Sequence, residues 1–233
     1  MGGQASGQKV KGSLYIVATP IGNLEDLTFR ALRILKEVAI IACEDTRQTL
    51  KLLNKYNLKK KLISYYQPKE NQKIPLIINI LKEGKDVALV SDSGTPGISD
   101  PGFRLIREVI REGIKIIPIP GASALTVALS ASGLPTHRFL FIGFPPPKKE
   151  ATKKLLLSLK NEEATLVFYL PSRKIINFLN LIEEAFGNRQ AVIAREMTKF
   201  FEEFLRGEAH ELVKKLEKKH LKGEVTLLVQ GHK

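Results

Sequence analysis

Val87-Ala-Leu-Val-Ser-Asp-Ser-Gly-Thr-Pro-Gly-Ile-Ser-Asp-Pro-Gly102 sets a short apolar run directly against a loop crowded with Gly, Pro, Ser and Asp. The β-branched content of Val87 to Val90, with breakers on both sides, predicts a buried strand of a parallel sheet. The loop opens at the carboxyl end of that strand. A helix follows: Asp100 is placed to cap it, Pro101 sits where a first-turn proline is tolerated, and Leu105, Ile106, Val109 and Ile110 form one apolar face before Gly113. Strand, loop and helix in this order make the unit that carries ligand sites in open α/β sheets. Gly94, Gly97 and Gly102 allow backbone conformations closed to other residues, and Asp92 offers a carboxylate at the strand edge. That combination suits a small polar ligand. The loop lacks the Gly-Lys-Ser/Thr ending of a phosphate loop and the six-residue dinucleotide fingerprint. A tight connection whose glycines serve only the turns accounts for the same local pattern.

Towards the amino terminus the pattern alternates. Leu14 to Ala18 reads as a first buried strand and Thr19-Pro-Ile-Gly-Asn23 as the turn at its end; Asp26 can cap a helix carrying Leu27, Ala31, Leu35 and Val38. Val38 to Cys43 is a second strand ending in Glu44-Asp-Thr-Arg47, a helix runs through Leu50, Leu53 and Tyr56, and Lys59 to Ser64 is a third strand. Pro75 to Leu81 is helical and leads into the strand at 87. Beyond the opening stretch, Lys115 to Ile119 is a fifth strand broken by Pro118 and Pro120, and Gly121-Ala-Ser-Ala124 opens a helix of small residues. Strands and helices alternating at this length specify a parallel, doubly wound sheet.

After Gly133-Leu-Pro135 the character changes. Strands are predicted at 139–144, 165–170, 190–196, 199–206 and 224–230, with helices at 148–159, 172–186 and 208–219. Two consecutive strands between 190 and 206 imply antiparallel pairing, so the second half is mixed α/β. The organisation expected is a flexible tail at 1–12, an α/β domain with a parallel sheet at 13–125, and a mixed α/β domain at 126–233.

Composition narrows the setting. The 233 residues are 43% hydrophobic and 26% charged, as in ordinary globular chains. No apolar run approaches the roughly 20 residues that span a bilayer, so no membrane association through a helix is expected. The polar start Met1-Gly-Gly-Gln-Ala-Ser-Gly-Gln8 has no apolar core and does not read as a signal peptide. A single cysteine, Cys43, forms no internal disulfide, and a cytoplasmic location is expected. With 37 Lys and Arg against 24 Asp and Glu, the formal charge is +13 and the pI about 9.7. Such an excess points to nucleic acid; a lysine-rich solvated surface of the kind favoured at high temperature is the alternative.

Several of these strand ends carry longer motifs. Leu14-Tyr-Ile-Val-Ala-Thr-Pro-Ile-Gly-Asn-Leu-Glu-Asp26, Cys43-Glu-Asp-Thr-Arg47, Ser91 to Gly102, Pro120-Gly-Ala-Ser-Ala124 and Arg195-Glu-Met-Thr-Lys-Phe-Phe-Glu-Glu203, in that order, closely resemble the small-subunit ribosomal RNA 2′-O-methyltransferase I branch of the tetrapyrrole-methylase superfamily. The resemblance covers nearly everything after residue 12. It implies a two-domain class III methyltransferase fold, S-adenosyl-L-methionine as cofactor in the cleft between the domains, a homodimer, and methylation of a cytidine ribose in the decoding region of 16S rRNA within the small ribosomal subunit. Carried over by position, the cofactor-binding residues would be Pro20, Asp92, Gly94, Thr95, Gly97, Ser123, Ala124, Leu170 and Thr226. No metal is implied. Where family members commonly read Tyr-Glu-x-Pro-His-Arg, this chain has Tyr169-Leu-Pro-Ser-Arg173, so a role for that Glu or His has no carrier here. Gln230 stands where the family often has Glu, and the first turn lacks the double glycine of tetrapyrrole-methylating relatives.

Methyl transfer from a sulfonium is an in-line displacement, so alignment supplies most of the acceleration. A base or cation that favours the ribose alkoxide would add to it. Asp45 and Lys199 are the candidate catalytic residues, with Glu44 and Glu196 beside them; helix capping by Asp45 or Thr46 and an ion-pair network over 195–199 explain the same residues structurally. Arg47 and Arg195 are candidates for phosphate contact through their planar forks, and Lys148, Lys149, Lys153 and Lys154 form a basic cluster for RNA. A tetrapyrrole-precursor methylase and a non-catalytic RNA-binding relative are the competing readings.

Overall fold

The computed structural model describes residues 10–217 and 223–232. Most of the amino-terminal tail, and Lys218, Lys219 and Lys222, lie outside the described residues. The chain forms two compact units, one ending at Ser123 and one beginning at Ala124.

The first unit runs β1 (Leu14–Val17), α1 (Phe29–Glu37), β2 (Ile40–Cys43), α2 (Thr46–Lys55), β3 (Lys61–Ser64), α3 (Glu70–Lys82), β4 (Val87–Val90), α4 (Phe103–Arg111) and β5 (Ile116–Ile119). Its five strands are all parallel in the order β3-β2-β4-β1-β5. Helices α1 and α2 bury Ala31, Leu35, Leu52 and Leu53 against Val17, Ile41 and Val90 on one face, while α3 and α4 bury Ile77, Leu81, Leu105 and Val109 against Leu14, Ala42 and Leu89 on the other. Two-sided burial explains why β2 and β4 are unbroken apolar runs with every residue buried.

Local chemistry moves several expected boundaries. Thr28 caps α1, its hydroxyl accepting from the Ala31 N–H at 3.0 Å; Asp26 instead ends a one-turn 3-10 segment. Helix α4 begins at Phe103 after Gly102, whose φ of 152° is outside helical space, so neither Asp100 nor Pro101 belongs to it. Pro75 lies inside α3, which starts at Glu70; burial of Ile77, Ile78 and Leu81 outweighs the backbone bond the proline forgoes. Pro118 does not break β5: it pairs with Ile16, and β5 is an edge strand, where a missing N–H can face away from the ladder. Gly12 donates to Leu81 O at 2.8 Å and is buried, so order begins ahead of Ser13.

The second unit runs α5 (Ala124–Ser132), β6 (Phe139–Gly143), α6 (Lys149–Ser158), β7 (Thr165–Pro171), α7 (Ile175–Phe186), β8 (Gln190–Arg195), β9 (Glu203–Glu208), α8 (Ala209–Leu216) and β10 (Glu224–Val229). The sheet order is β6-β7-β10-β8-β9, parallel between β6 and β7 and antiparallel elsewhere. Its core joins Leu166, Phe168, Leu227 and Ile193 to Leu156, Leu179, Ile182 and Leu212. Strand β9 begins at Glu203, so residues 196–202 form a hairpin loop where the alternation predicts the start of a strand. Arg206 reaches from β9 to the Ala131 and Ser132 carbonyls, placing a cation at the carboxyl end of α5.

Candidate functional site

In the first unit β4 and β1 are neighbours, yet the connection from β1 passes through α1 on one face and the connection from β4 through α4 on the other. Their carboxyl ends therefore diverge, and a crevice at such a switch point is where open α/β sheets hold ligands. The two loops are tied together at its floor. Thr19 and Gly94 exchange backbone hydrogen bonds of 2.8 and 3.0 Å, and the buried Thr19 hydroxyl donates to Ser91 O at 3.1 Å. Thr19 is a residue that sequence reading passed over in favour of Pro20; its place immediately after a buried strand is the signal that could have marked it.

Gly94 has a φ of 84°, a conformation that a side-chain-bearing residue rarely adopts. A Cβ there would touch only Ile21 and Ala122 O, at 3.5 and 3.9 Å, so the position is open. Thr95 donates its hydroxyl to Ala122 O at 3.2 Å, linking the β4 loop to the segment after β5 that carries Ser123. Gly121 packs so close to Ala18 that a Cβ would stand 2.9 Å from the alanine Cβ, which fixes the β5 exit beside the β1 exit. Pro20, Asp92, Gly94, Thr95 and Ser123 are thus brought to one edge of one sheet by their strands, and the loop continues through Gly97 at φ 83°. The loop closes on Gly102, whose N–H donates to the buried Glu70 at 3.2 Å. Glu70, a buried carboxylate at the start of α3, lies ahead of the helix that the sequence pattern predicts from Pro75, so that pattern does not mark it.

Carboxylates collect at the ends of β2 and β4. Asp92 accepts from the Asp45 N–H at 2.9 Å, joining the two strand ends. Burial pushes its pKa up, with the Asp45 charge adding and the hydrogen bond opposing. Burial likewise raises Glu44, reinforced by Asp92, Asp100 and Asp45. Asp45 goes the other way: hydrogen bonds from Arg47 hold it at about 2. Its carboxylate accepts the Arg47 N–H at 2.8 Å as the cap of α2, and takes the guanidinium at 2.6 and 3.0 Å. A carboxylate so engaged is a weak proton acceptor. The capping alternative describes Asp45 as the structure places it, with Arg47 held by the same contact while 85% of its side chain stays exposed. Among the described residues no group of His, Cys, Asp and Glu forms a metal site.

In the second unit Leu170 and Thr226 are buried, on adjacent strands. The Leu170 side chain is part of the helix-covered core, so only its main chain can serve a ligand. Strand β6 stops pairing at Phe168, so among the described residues the β7 edge beyond it has no strand neighbour on that side. Ala124 opens α5. Lys199 lies 3.1 Å from Glu196 and Arg195 3.2 Å from Glu203, the ion pairs named above as the structural alternative. Lys148 stands at the N-cap of α6 and Lys149 begins it; Lys153 pairs with Glu184 at 2.7 Å, and Lys154 is exposed on the same helix. Arg173 and Lys174, exposed directly after β7, are basic residues that sequence reading did not single out.

Comparison with known proteins converges on one group. The model of the tetrapyrrole (corrin/porphyrin) methylases matches residues 13–213. The chain is 49% identical to ribosomal RNA small subunit methyltransferase I of Thermotoga maritima over 220 residues, covering 94% of this chain and 99% of that protein. It is 50% identical to the protein of the same name from Halalkalibacterium halodurans over 222 residues, 95% of this chain and 77% of that one. Among solved structures, cobalt precorrin-4 methyltransferase superposes with a TM-score of 0.70 at 17% identity over 94% of both chains, and diphthine synthase with 0.70 at 18% identity over 95% of this chain and 92% of that chain; these likenesses carry the fold. The chain belongs to the tetrapyrrole methylase family and, within it, to the ribosomal RNA small subunit methyltransferase I group.

Proposed function

We propose that this protein is an S-adenosyl-L-methionine-dependent methyltransferase that modifies the ribose 2′-hydroxyl of a cytidine in the decoding region of 16S rRNA, working in the cytoplasm as a homodimer. The switch point where the β1 and β4 exits diverge while their loops are tied to each other and to the β5 exit is the observation that carries the reading. Its chemistry fits the cofactor: a small-residue opening at Gly94 and Ala122 admits a ligand to the main chain, and Glu44, Asp92 and Asp100 supply negative potential that favours a sulfonium cation. The names carried by relatives of 49% and 50% identity support RNA as substrate. The cytidine ribose rests on the motif resemblance at 43–47 and 195–203. Among the described residues no helix is long and apolar enough to cross a membrane.

S-Adenosyl-L-methionine, when bound, supplies an activated methyl group. The chain's own residues then have two tasks. The Thr19–Gly94 tie and the Asp92–Asp45 contact hold three strand ends rigid, so that loop groups keep their alignment; rigidity of this kind is what in-line displacement requires. Glu44 is better suited than Asp45 to accept a proton, because burial and neighbouring carboxylates raise its pKa while Arg47 holds Asp45 ionised.

The test incubates purified protein and radiolabelled cofactor with 30S subunits, then maps the label by nuclease digestion and mass spectrometry. Label on one cytidine ribose supports the proposal. Label on a base, or transfer to a tetrapyrrole precursor in place of RNA, overturns it.

A further inference from the structure

Strands β6, β7 and β8 run in one direction, because β10 lies antiparallel between β7 and β8, so the loops that follow them emerge at one edge of the second sheet. The loop after β8 is the hairpin turn 196–202, and its backbone is strained. Glu196 and Thr198 have φ of 49° and 67°, left-handed values that residues with a Cβ rarely take. Five hydrogen bonds hold that conformation: Lys199 N–H to Glu196 O at 3.0 Å, Glu202 N–H to Lys199 O at 3.1 Å, Thr198 N–H to the Glu202 carboxylate at 2.6 Å, Lys199 Nζ to Glu196 Oε1 at 3.1 Å, and Glu224 N–H to that same oxygen at 3.3 Å. At the apex Phe200 and Phe201 are 94% and 67% exposed and meet edge to face with centroids 5.0 Å apart. A loop pinned at this many points spends its rigidity on presenting two rings to water.

The charges around the rings are sorted. Each loop carboxylate is engaged, Glu196 and Glu202 by the contacts above and Glu203 by Arg195 at 3.2 Å. By contrast Lys148 after β6, and Arg173 and Lys174 after β7, form no ion pair among the described residues. The edge therefore combines rigid aromatic faces on the loop after β8 with cations after β7 and β6, two and three strands along the same sheet edge, the pairing that binds single-stranded nucleic acid through base stacking and phosphate contact.

We infer that Phe200 and Phe201 form a stacking platform for an unpaired nucleobase of the RNA substrate, with Arg173, Lys174 and Lys148 holding the flanking phosphates. This deepens the RNA reading above and rests on it. The chain has no tryptophan, so Phe200→Trp introduces a single emitter at the platform. Titration of that variant with a single-stranded oligoribonucleotide should quench its emission at the concentrations where RNA binds. Phe200→Ala/Phe201→Ala should weaken RNA binding about five- to hundredfold with the salt slope unchanged, whereas Arg173→Ala/Lys174→Ala should lower the slope. Cofactor affinity, measured by calorimetry, should be kept in both, which also reports that the variants fold.

Unquenched emission with RNA bound, or a double-alanine variant that binds RNA as wild type does, overturns the platform and leaves the methyltransferase reading intact. Light scattering in which the double-alanine variant loses an oligomeric state that wild type holds assigns the rings to a second copy of the chain and also overturns it. Wild-type protein that binds no RNA overturns the functional reading and this inference together.

Discussion

Gly94 is where a single residue sets the conformation of the loop at the β1/β4 switch point. Its φ of 84° disfavours a β-branched side chain, and the backbone bonds to Thr19 together with the Thr95 bond to Ala122 hold the loop on both sides. Gly94→Val should lower cofactor affinity about tenfold or more, with the chain still folded, since strain of this kind costs on the order of 1–3 kcal/mol; calorimetry and circular dichroism check both parts. Glu44 makes a prediction of the opposite sign for stability. Its pKa is raised in the fold, so its ionisation opposes folding: the group's favourable contribution is complete below the unfolded value of about 4.3 and is lost as pH rises through the folded one. Glu44→Gln should therefore raise the melting temperature at pH 7 by about 1–3 °C, with the gain shrinking towards zero near pH 4. Thermal melts across pH that show no gain at pH 7 would refute it. Asp45, held at about 2 by Arg47, has the opposite profile: its contribution is present above the ordinary carboxylate range and is lost as pH falls towards the folded value.

At the level of elements, caps decide where helices start, and these are testable apart from function. Thr28 closes the first turn of α1 through Ala31 N–H, while Asp26 belongs to the preceding 3-10 turn. Thr28→Ala should cost about 1 kcal/mol in denaturant unfolding, and Asp26→Ala close to nothing. Equal losses would mean that the cap assignment is wrong. In the second unit the same logic is applied by a charge: Arg206 on β9 satisfies the last carbonyls of α5, joining the helix to a strand 75 residues later.

For the whole molecule, the +13 charge is a statement about RNA only where its lysines are unpaired. On α6, Lys153 is bonded to Glu184, and Lys149 lies in the field of the same carboxylate, which leaves Lys148 and Lys154 as the stronger phosphate contacts. Replacing Lys148, Lys149, Lys153 and Lys154 with Ala should lower the logarithmic salt slope of RNA binding by about 1.4 to 1.8, two contacts' worth, in place of the fuller loss a count of four lysines implies. Cofactor affinity should hold. A filter-binding series at several salt concentrations with an unchanged slope would make the cluster a solvated face.

The opening strand and loop, the alternation before residue 124 and the two adjacent strands after 190 determined the architecture from sequence, because burial on two faces writes unbroken apolar runs and an antiparallel hairpin needs no helix between its strands. Gly94 and Gly97 were legible for the same kind of reason, since positive φ selects glycine locally. The surroundings of Asp45 were not: a carboxylate one residue ahead of a helix reads equally as cap or base, and its bonds to the Arg47 N–H and guanidinium come into view only in the fold. Thr19 and Glu70 matter through partners 75 and 32 residues away, and Phe200 and Phe201 look like strand residues until the hairpin register shows them at its apex. Short-range chemistry fixes a residue's conformation, but which polar group is satisfied, and which ring is left in water, depends on neighbours that meet only when the chain has folded.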